Sequence, residues 1–116
     1  MNDKNCVFCN IVNGTQPAKI VFKNDFATAF WDINPVAPVH ILIIPNKHIE
    51  SINHLQVKDT LLLGNLFQVA KNIAKDLNID KNGYRLVINT GPDGGQSIYH
   101  LHLHLVGGKK FVQVFK

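Results

Sequence analysis

Three histidines alternate with leucines near the end of the chain, in the run Tyr99-His100-Leu101-His102-Leu103-His104-Leu105-Val106. Because successive side chains of a strand point to opposite faces, this run predicts three imidazoles on one face, about 6.5 Å apart, with the leucines facing the core. An imidazole with an ordinary pKa is largely neutral at pH 7 and can attack, carry a proton or bind a metal. The pattern therefore predicts a reactive histidine face; a histidine-rich metal-binding module and a plain solvated strand face are the alternatives.

A glycine-rich loop directly precedes the histidines, with the sequence Gly91-Pro92-Asp93-Gly94-Gly95-Gln96-Ser97. Glycines let backbone N–H groups approach a ligand closely, and converging N–H groups bind phosphate oxygens. The hydroxyl of Ser97 supplies one more donor. Loops of this composition are also common as simple turns between strands, but the neighbouring histidines favour phosphate binding here.

Hydrophobic periodicity indicates the elements that position these residues. The predicted elements are a short helix over 6–13 ended by Gly14, strands over 18–22, 27–32, 39–44, 84–89 and 98–106, and a long helix over 58–77. This order predicts an α+β fold in which a five-stranded, largely antiparallel sheet is covered on one face by the long helix. The length of 116 residues is that of a single domain spanning 1–116.

Composition narrows the class of protein. Hydrophobic residues make up 46% and charged residues 17%, which is typical of a compact globular chain, and no apolar run approaches the roughly 20 residues of a membrane span. The N-terminus lacks the pattern of a secretory signal, so we expect a cytoplasmic protein. Its net charge of +4 is spread along the chain. That distribution favours weak steering of a small anion over binding of nucleic acid.

The run from Gly94 to Gly108 resembles the histidine-triad signature of the HIT superfamily, specifically its Hint branch. Further matches at family-like separation are Phe30-Trp31-Asp32-Ile33-Asn34-Pro35, Pro38-Val39-His40 and Ile44-Pro45-Asn46-Lys47-His48-Ile49. The resemblance implies a homodimer in which two five-stranded sheets join, and a hydrolase or transferase acting on purine nucleoside phosphoramidates. A dinucleoside polyphosphate hydrolase of the related Fhit type is the alternative enzyme, although the loop containing Ser97 favours Hint.

The resemblance also implies a role for each matching residue. His102 corresponds to the nucleophile that forms a covalent nucleotidyl–imidazole intermediate, with its other ring nitrogen held by a backbone carbonyl. His104 and Ser97 correspond to phosphate-contacting groups, and His40 to a histidine that supports the triad. The leaving amine needs a proton, from Ser97 or from a protonated imidazole.

The nucleotide's sugar and base have matching residues as well. Asp32 corresponds to the acid that accepts hydrogen bonds from both ribose hydroxyls; capping of the Ile33-Asn34-Pro35 turn is an alternative role for it. Asn89 and Gly95 correspond to further contacts with sugar and phosphate. The residues matching the base pocket are Phe8, Ile11, Phe30, Trp31, Ile33 and Leu42, with core packing the preferred role for Ile11 and Leu42.

Cys6 and Cys9 indicate a second candidate site. Two thiolates at this spacing, together with two imidazoles, complete a tetrahedral zinc site. His48 and His100 are the candidate imidazoles, and some bacterial members of the family carry such a structural zinc. It would tie distant segments together and would hold His100, which is also a candidate catalytic residue as a member of the triad, away from catalysis. No cofactor is needed for the chemistry itself. Two packed thiols and a redox pair are the alternatives.

The chain departs from the family pattern at its C-terminus. Lys109-Lys110-Phe111-Val112-Gln113-Val114-Phe115-Lys116 replaces the Trp-Pro-Pro-Gly type of ending that reaches the partner's active site in well-known Hint members. Trp31 also stands where an imidazole or another side chain often sits. These departures bear on base stacking and on the choice of leaving amine, and they leave the chemistry expected of His102 unchanged.

Overall fold

The computed structural model of the chain describes residues 5–115. Its helices are α1 (Val7–Asn13) and α2 (Thr60–Asp76), and its strands are β1 (Ile20–Lys23), β2 (Ala27–Trp31), β3 (Val39–Pro45), β4 (Tyr84–Val87) and β5 (Leu103–Gly107). Two short 3₁₀ turns over Ile52–His54 and Val57–Asp59 precede α2. The predicted α+β class is confirmed. Within residues 5–115, no helix is long and apolar enough to cross a membrane.

The five strands form one sheet in the order β1-β2-β3-β5-β4, and every neighbouring pair is antiparallel. The central strand β3 is buried along its whole length. Ile41 and Ile43 face the core beneath α2, whereas Leu42 and Ile44 face the other side and pack with α1. Both faces of the sheet centre are therefore covered, and the functional residues described below lie on the α1 side.

The long helix has the stripe that the periodicity predicts. Its buried positions are Leu66, Val69, Ala70, Ile73 and Ala74, which recur at the helical spacing of three or four residues. The helix begins at Thr60, two residues later than predicted, because the preceding residues form a 3₁₀ turn. The carboxylate of Asp59 closes that turn by accepting hydrogen bonds from Lys47 Nζ and Gln56 N, each at 2.9 Å.

The short helix α1 is defined by its caps. The Sγ of Cys6 accepts a hydrogen bond from the backbone N–H of Cys9 at 3.2 Å. At the other end Gly14 adopts a left-handed conformation with φ of 86°, which glycine reaches without a side-chain clash. The predicted helix and its glycine stop are both confirmed.

The prediction of a strand over 98–106 was wrong for its first half, since β5 begins only at Leu103. β3 pairs with β5 from Val39 opposite Gly107 to Ile43 opposite Leu103, and β4 ends at Val87 opposite His104. The last two residues of β3, Ile44 and Pro45, pair with β2 on their other side but not with β5. Residues 98–102 therefore have no paired strand among residues 5–115. One backbone bond, from Leu101 N to Ile49 O at 2.7 Å, still holds this segment against the fold. The fourth strand likewise ends at Val87, two residues earlier than predicted.

Candidate active site and metal centre

The three histidines share one side of the chain, but their surroundings differ. Leu101, Leu103 and Leu105 all enter the core beneath α2, which confirms the predicted alternation. The alternative of a plain solvated strand face is wrong. His100 is fully buried, His102 is only 7% exposed and His104 is half-buried. The reason is that α1 packs over this side, with Phe8 lying edge-on to the rings of His100 and His102 at centroid distances of 5.9 and 5.3 Å.

His102 is held by the backbone of the segment that carries it. Its Nδ1 lies 2.8 Å from the carbonyl oxygen of His100. A carbonyl can only accept, so Nδ1 carries the proton and Nε2 of the neutral ring keeps a lone pair. The ring of His104 lies beside it, with centroids 4.9 Å apart. The arrangement leaves one unprotonated nitrogen on His102 that can act as a nucleophile.

His104, His40 and Asp32 form a connected group next to His102. His40 Nε2 lies 3.0 Å from His104 Nδ1 and 3.3 Å from the Oδ2 of Asp32. Burial lowers the pKa of His104 to about 4, with a further lowering by His102 and His40 and an opposing contribution from Asp32. Burial also lowers the pKa of His40, and the negative charge of Asp32 again opposes this lowering. Both imidazoles are therefore neutral at pH 7.

Asp32 has both of the roles that the sequence leaves open. Its Oδ1 accepts a hydrogen bond from the backbone N–H of Asn34 at 2.8 Å, which is the turn-capping interaction. Its other oxygen faces His40. Because a carboxylate has about four acceptor positions, this side chain retains capacity for a further donor.

The glycine-rich loop is locked into one shape by its own backbone. Gly91 and Gly95 have φ of 71° and 80°, values that side-chain-bearing residues rarely adopt. A Cβ on Gly94 would lie 2.3 Å from Thr90 O, so no side chain fits there. The amide of Asn89 donates to Gly94 O at 2.8 Å, which ties the base of the loop to its tip.

Gln96 is the residue of this loop that sequence reasoning missed. Its buried amide donates to Glu50 O at 2.7 Å and to Ile98 O at 3.0 Å, and its Oε1 accepts from Gly91 N at 2.9 Å. It therefore fastens the loop to the segment after β3. Ser97, next in the chain, is exposed and lines a cleft together with Cys6, His48 and Tyr99. The burial of Gln96 could not be read from its place in a loop.

The residues expected around a purine base occupy three different places in the fold. Phe8, Ile11, Phe30 and Leu42 pack together on the α1 side of the sheet, with Phe8 and Phe30 edge-to-face at 5.4 Å. Ile33 is 90% exposed in the loop after β2. Trp31 packs against the core on the α2 side, opposite Phe30, because neighbouring residues of a strand face opposite ways. The structure therefore does not bring Trp31 to the other expected base-contacting residues.

Cys6, Cys9, His48 and His100 place four donor atoms within 4.8 Å of one another. Cys9 Sγ lies 3.2 Å from His48 Nδ1 and 3.5 Å from His100 Nδ1. Cys6 Sγ and His48 Nδ1 lie 3.3 and 3.2 Å from His100 Nδ1. Ordinary zinc–sulfur and zinc–nitrogen bond lengths give tetrahedral edges of about 3.3 to 3.8 Å. The donor set therefore fits a zinc ion closely.

The second nitrogen of His100 strengthens this fit. His100 Nε2 donates to Pro45 O at 2.8 Å, so the neutral ring directs its Nδ1 lone pair at the cysteines. Metal-binding histidines usually donate their other N–H to an acceptor in this way. The carbonyl of Pro45 is a backbone group, and no residue type in the sequence signals it.

Residues 13–111 match the family model described as HIT domain. The chain belongs to the HIT family. It is 45% identical over 103 residues to the purine nucleoside phosphoramidase of Escherichia coli (strain K12), an alignment that covers 89% of this chain and 87% of that protein.

Solved structures of the HIT family share the whole fold. A histidine triad protein from Clostridium difficile superposes with a TM-score of 0.96 at 40% identity, covering 99% of this chain and 100% of that one. A HIT family hydrolase from Legionella pneumophila Philadelphia 1 gives a TM-score of 0.93 at 46% identity, covering 95% and 98% of the two chains. With the phosphoramidase above, these relationships identify the chain as a hydrolase of the HIT family.

A zinc-bound histidine triad family protein from Mycobacterium smegmatis is a more distant structural neighbour. Its TM-score is 0.78 at 29% identity, and the match covers 90% of this chain and 76% of that protein. The fold of the HIT family thus occurs with bound zinc. In the present chain, the Cys6–Cys9–His48–His100 cluster is a group that could hold such an ion.

Proposed function

We propose that this HIT hydrolase cleaves the P–N bond of purine nucleoside 5′-phosphoramidates through a covalent intermediate on His102. The observation that carries the proposal is the 2.8 Å hydrogen bond from His102 Nδ1 to His100 O, which leaves the Nε2 lone pair for attack on phosphorus. The name of the Escherichia coli relative supports the substrate class.

The proposed reaction has two balanced steps. In the first, Nε2 of His102 forms a bond to phosphorus while the P–N bond to the amine breaks, and the departing amine takes a proton from Ser97 or from a protonated imidazole. In the second, water attacks the same phosphorus and the P–N bond to His102 breaks; the proton that the water loses returns to the group that protonated the amine, and the nucleoside monophosphate leaves. His104 and the N–H groups of the loop containing Gly95 and Ser97 would stabilise the negative charge that builds on the phosphate oxygens.

The same proposal assigns residues to the ribose and the base of the nucleotide. Asp32 would accept hydrogen bonds from the ribose hydroxyls, with Asn89 adding a polar contact. Phe8, Phe30 and Ile33 would contact the purine base, and His40 would support His104. Trp31 would contribute to the fold instead, since it packs on the opposite face of the sheet.

We propose a structural role for zinc at Cys6, Cys9, His48 and His100. Bound there, the ion would supply a cross-link between α1, the segment after β3 and the histidine run, and the reaction above takes no step through it. The same assignment weakens the alternative of a histidine-rich metal module, because among the three alternating histidines only His100 joins the cysteines.

We also propose that the chain works in the cytoplasm as a homodimer, on a small nucleotide and without a nucleic-acid partner. The free thiols of Cys6 and Cys9 are typical of a reducing compartment. The sheet ends in the edge strands β1 and β4, whose unpaired backbone groups can join a second sheet.

The deciding experiment compares adenosine 5′-phosphoramidate with a diadenosine polyphosphate as substrates. We expect AMP from the phosphoramidate, a nucleotidyl adduct on His102 detectable by mass spectrometry after rapid quenching, and a loss of at least about 10⁴-fold in kcat for His102→Ala. His54→Asn, at a half-exposed histidine outside the site, is the matched control. Preferential cleavage of the polyphosphate would favour the Fhit type, and AMP from neither substrate would contradict the proposal.

A further inference from the structure

The peptide N–H of Val36 donates a hydrogen bond to His40. It lies in the loop between β2 and β3, 3.1 Å from His40 Nδ1. Because burial lowers the pKa of His40, its ring is neutral and has one donor nitrogen and one acceptor nitrogen. The acceptor must be Nδ1, since it receives the Val36 N–H. His40 Nε2 therefore carries the proton.

That proton determines the state of the next ring. His40 Nε2 lies 3.0 Å from His104 Nδ1, a distance at which two N–H groups facing each other would repel. His104 Nδ1 must accordingly be the acceptor. A neutral His104 then carries its own proton on Nε2, at the other side of the ring.

We propose that the Val36 N–H fixes, through His40, the tautomer of His104, so that His104 offers an Nε2–H donor to the substrate phosphate. The last clause rests on the proposed function, while the tautomers themselves do not depend on it. His40 is then a positioning residue. A backbone N–H is a suitable origin for this chain of hydrogen bonds because it cannot reverse its direction.

The direction of the hydrogen bond from Val36 to His40 also distinguishes the two clusters of potential metal ligands within residues 5–115. Asp32, His40 and His104 also bring donor atoms within 4.8 Å. However, a metal on His40 Nε2 would require the proton to move to Nδ1, where it would face the Val36 N–H. His100 has the opposite arrangement, because its second nitrogen faces the carbonyl of Pro45. The Asp32–His40–His104 cluster holds a proton, and the cysteine cluster suits a metal.

The test reads the tautomers directly in the zinc-loaded protein by long-range ¹H–¹⁵N NMR, with signals assigned through His40→Asn and His104→Asn. We expect the Nε2–H form for His40 and His104 and the Nδ1–H form for His102. Val36→Pro removes the N–H, whereas Val36→Ala keeps it and serves as the reference. Since Val36 is 64% exposed, the two variants differ mainly in that donor. If Val36→Pro does not fold, replacing Val36 by its α-hydroxy acid removes the N–H and keeps the side chain.

Loss of the N–H should mix the tautomers of His40 and His104 and lower kcat by about 10-fold, with a smaller change in KM. An Nδ1–H form of His104 in the wild-type protein would overturn the inference. So would a Val36→Pro spectrum and kcat equal to those of Val36→Ala. If the wild-type tautomers are as stated and Val36→Pro mixes them, but no phosphoramidate is turned over, the proposed function fails and the tautomer assignment stands.

Discussion

The groups that face the two ring nitrogens of His40, His100 and His102 together decide what each ring can do. His102 donates to a carbonyl and keeps a lone pair for attack. His100 also donates to a carbonyl, but its free nitrogen faces two thiols. His40 accepts from an N–H and donates onward to His104. Identical side chains thus acquire separate roles from the pair of groups that faces each ring.

The burial of His104 predicts a pH dependence of stability. Its pKa is lowered to about 4 in the folded protein, against about 6.5 in an unfolded chain. Below pH 6.5 the unfolded state therefore binds a proton that the folded state does not yet bind, so the free energy of unfolding should fall from about pH 6.5 towards about pH 4.

His104→Asn should reduce this fall, whereas His54→Asn at an exposed position should keep it. Urea unfolding of both variants and the wild type at pH 7 and pH 5 gives the comparison. Equal slopes in His104→Asn and wild type would contradict the assignment of a buried neutral ring.

At the scale of elements, the site is assembled where the connection between β4 and β5 meets the centre of the sheet. The glycine-rich loop and the segment over 98–102 lie outside the strand ladder and are held by side chains such as Gln96. The helix α1 closes the same side through Phe8 and the cysteines. Each piece is short, so its position depends on contacts with the others.

A substitution in the loop tests this dependence. Gly94→Ala would place a Cβ 2.3 Å from Thr90 O, so the loop must move, and we expect KM for the phosphoramidate to rise by about 10-fold or more. Gly64→Ala is the matched control because Gly64 lies within α2 and, beyond its chain neighbours and the helix backbone, no atom of the described residues comes within 4 Å of the added Cβ. It should raise the free energy of unfolding by about 0.5–1 kcal/mol with normal kinetics. A Gly94→Ala enzyme with unchanged KM would show that this loop does not contact the substrate.

The metal cluster predicts a second effect at the same scale. Protein purified without chelator should contain one zinc per chain by elemental analysis, and Cys9→Ser should lose it. The loss of this cross-link should have a large effect on stability, seen as a lower melting temperature, and a smaller effect on kcat. Val7→Ala, between the two cysteines in sequence, is the control and should keep its metal. Absence of metal in the wild-type protein would contradict the proposed zinc site.

At the scale of the whole molecule, the buried centre of the sheet holds the site in place. The net positive charge of the chain acts on a ligand from a longer distance. The strand β3 is buried on both faces and carries His40 in register with β5, where His104 lies opposite Leu42. The two rings that must meet therefore come from adjacent strands. The net charge of +4 lies on residues distributed over the chain.

This charge should affect the encounter with an anionic nucleotide and not the chemical step. We expect kcat/KM to fall a few-fold between low and physiological salt, because ions screen charges beyond about 8–10 Å. The value of kcat should stay constant. Steady-state kinetics at several salt concentrations give both parameters, and a salt-dependent kcat with constant kcat/KM would reverse this expectation.

The sequence by itself determined the class of fold, the presence of both helices, the glycine stop of the first one and the separation of histidines from leucines. These features follow from local periodicity and from residues with special backbone or capping preferences, such as Gly14. The residue types and spacing of Cys6, Cys9 and the histidine run likewise identified the groups that the fold brings together.

Only the tertiary structure decided where β5 begins, the burial of His100, the placement of Trp31 on the opposite face and the partner of each ring nitrogen. A strand requires a neighbouring strand to pair with. The point at which pairing with β3 and β4 ends cannot be read from residues 98–102 alone. The groups that orient the rings are the backbone atoms of Val36, Pro45 and His100. Every residue has a backbone C=O group, and every residue except proline has an N–H group. The direction in which these groups point is fixed by the folded chain and leaves no pattern in the sequence.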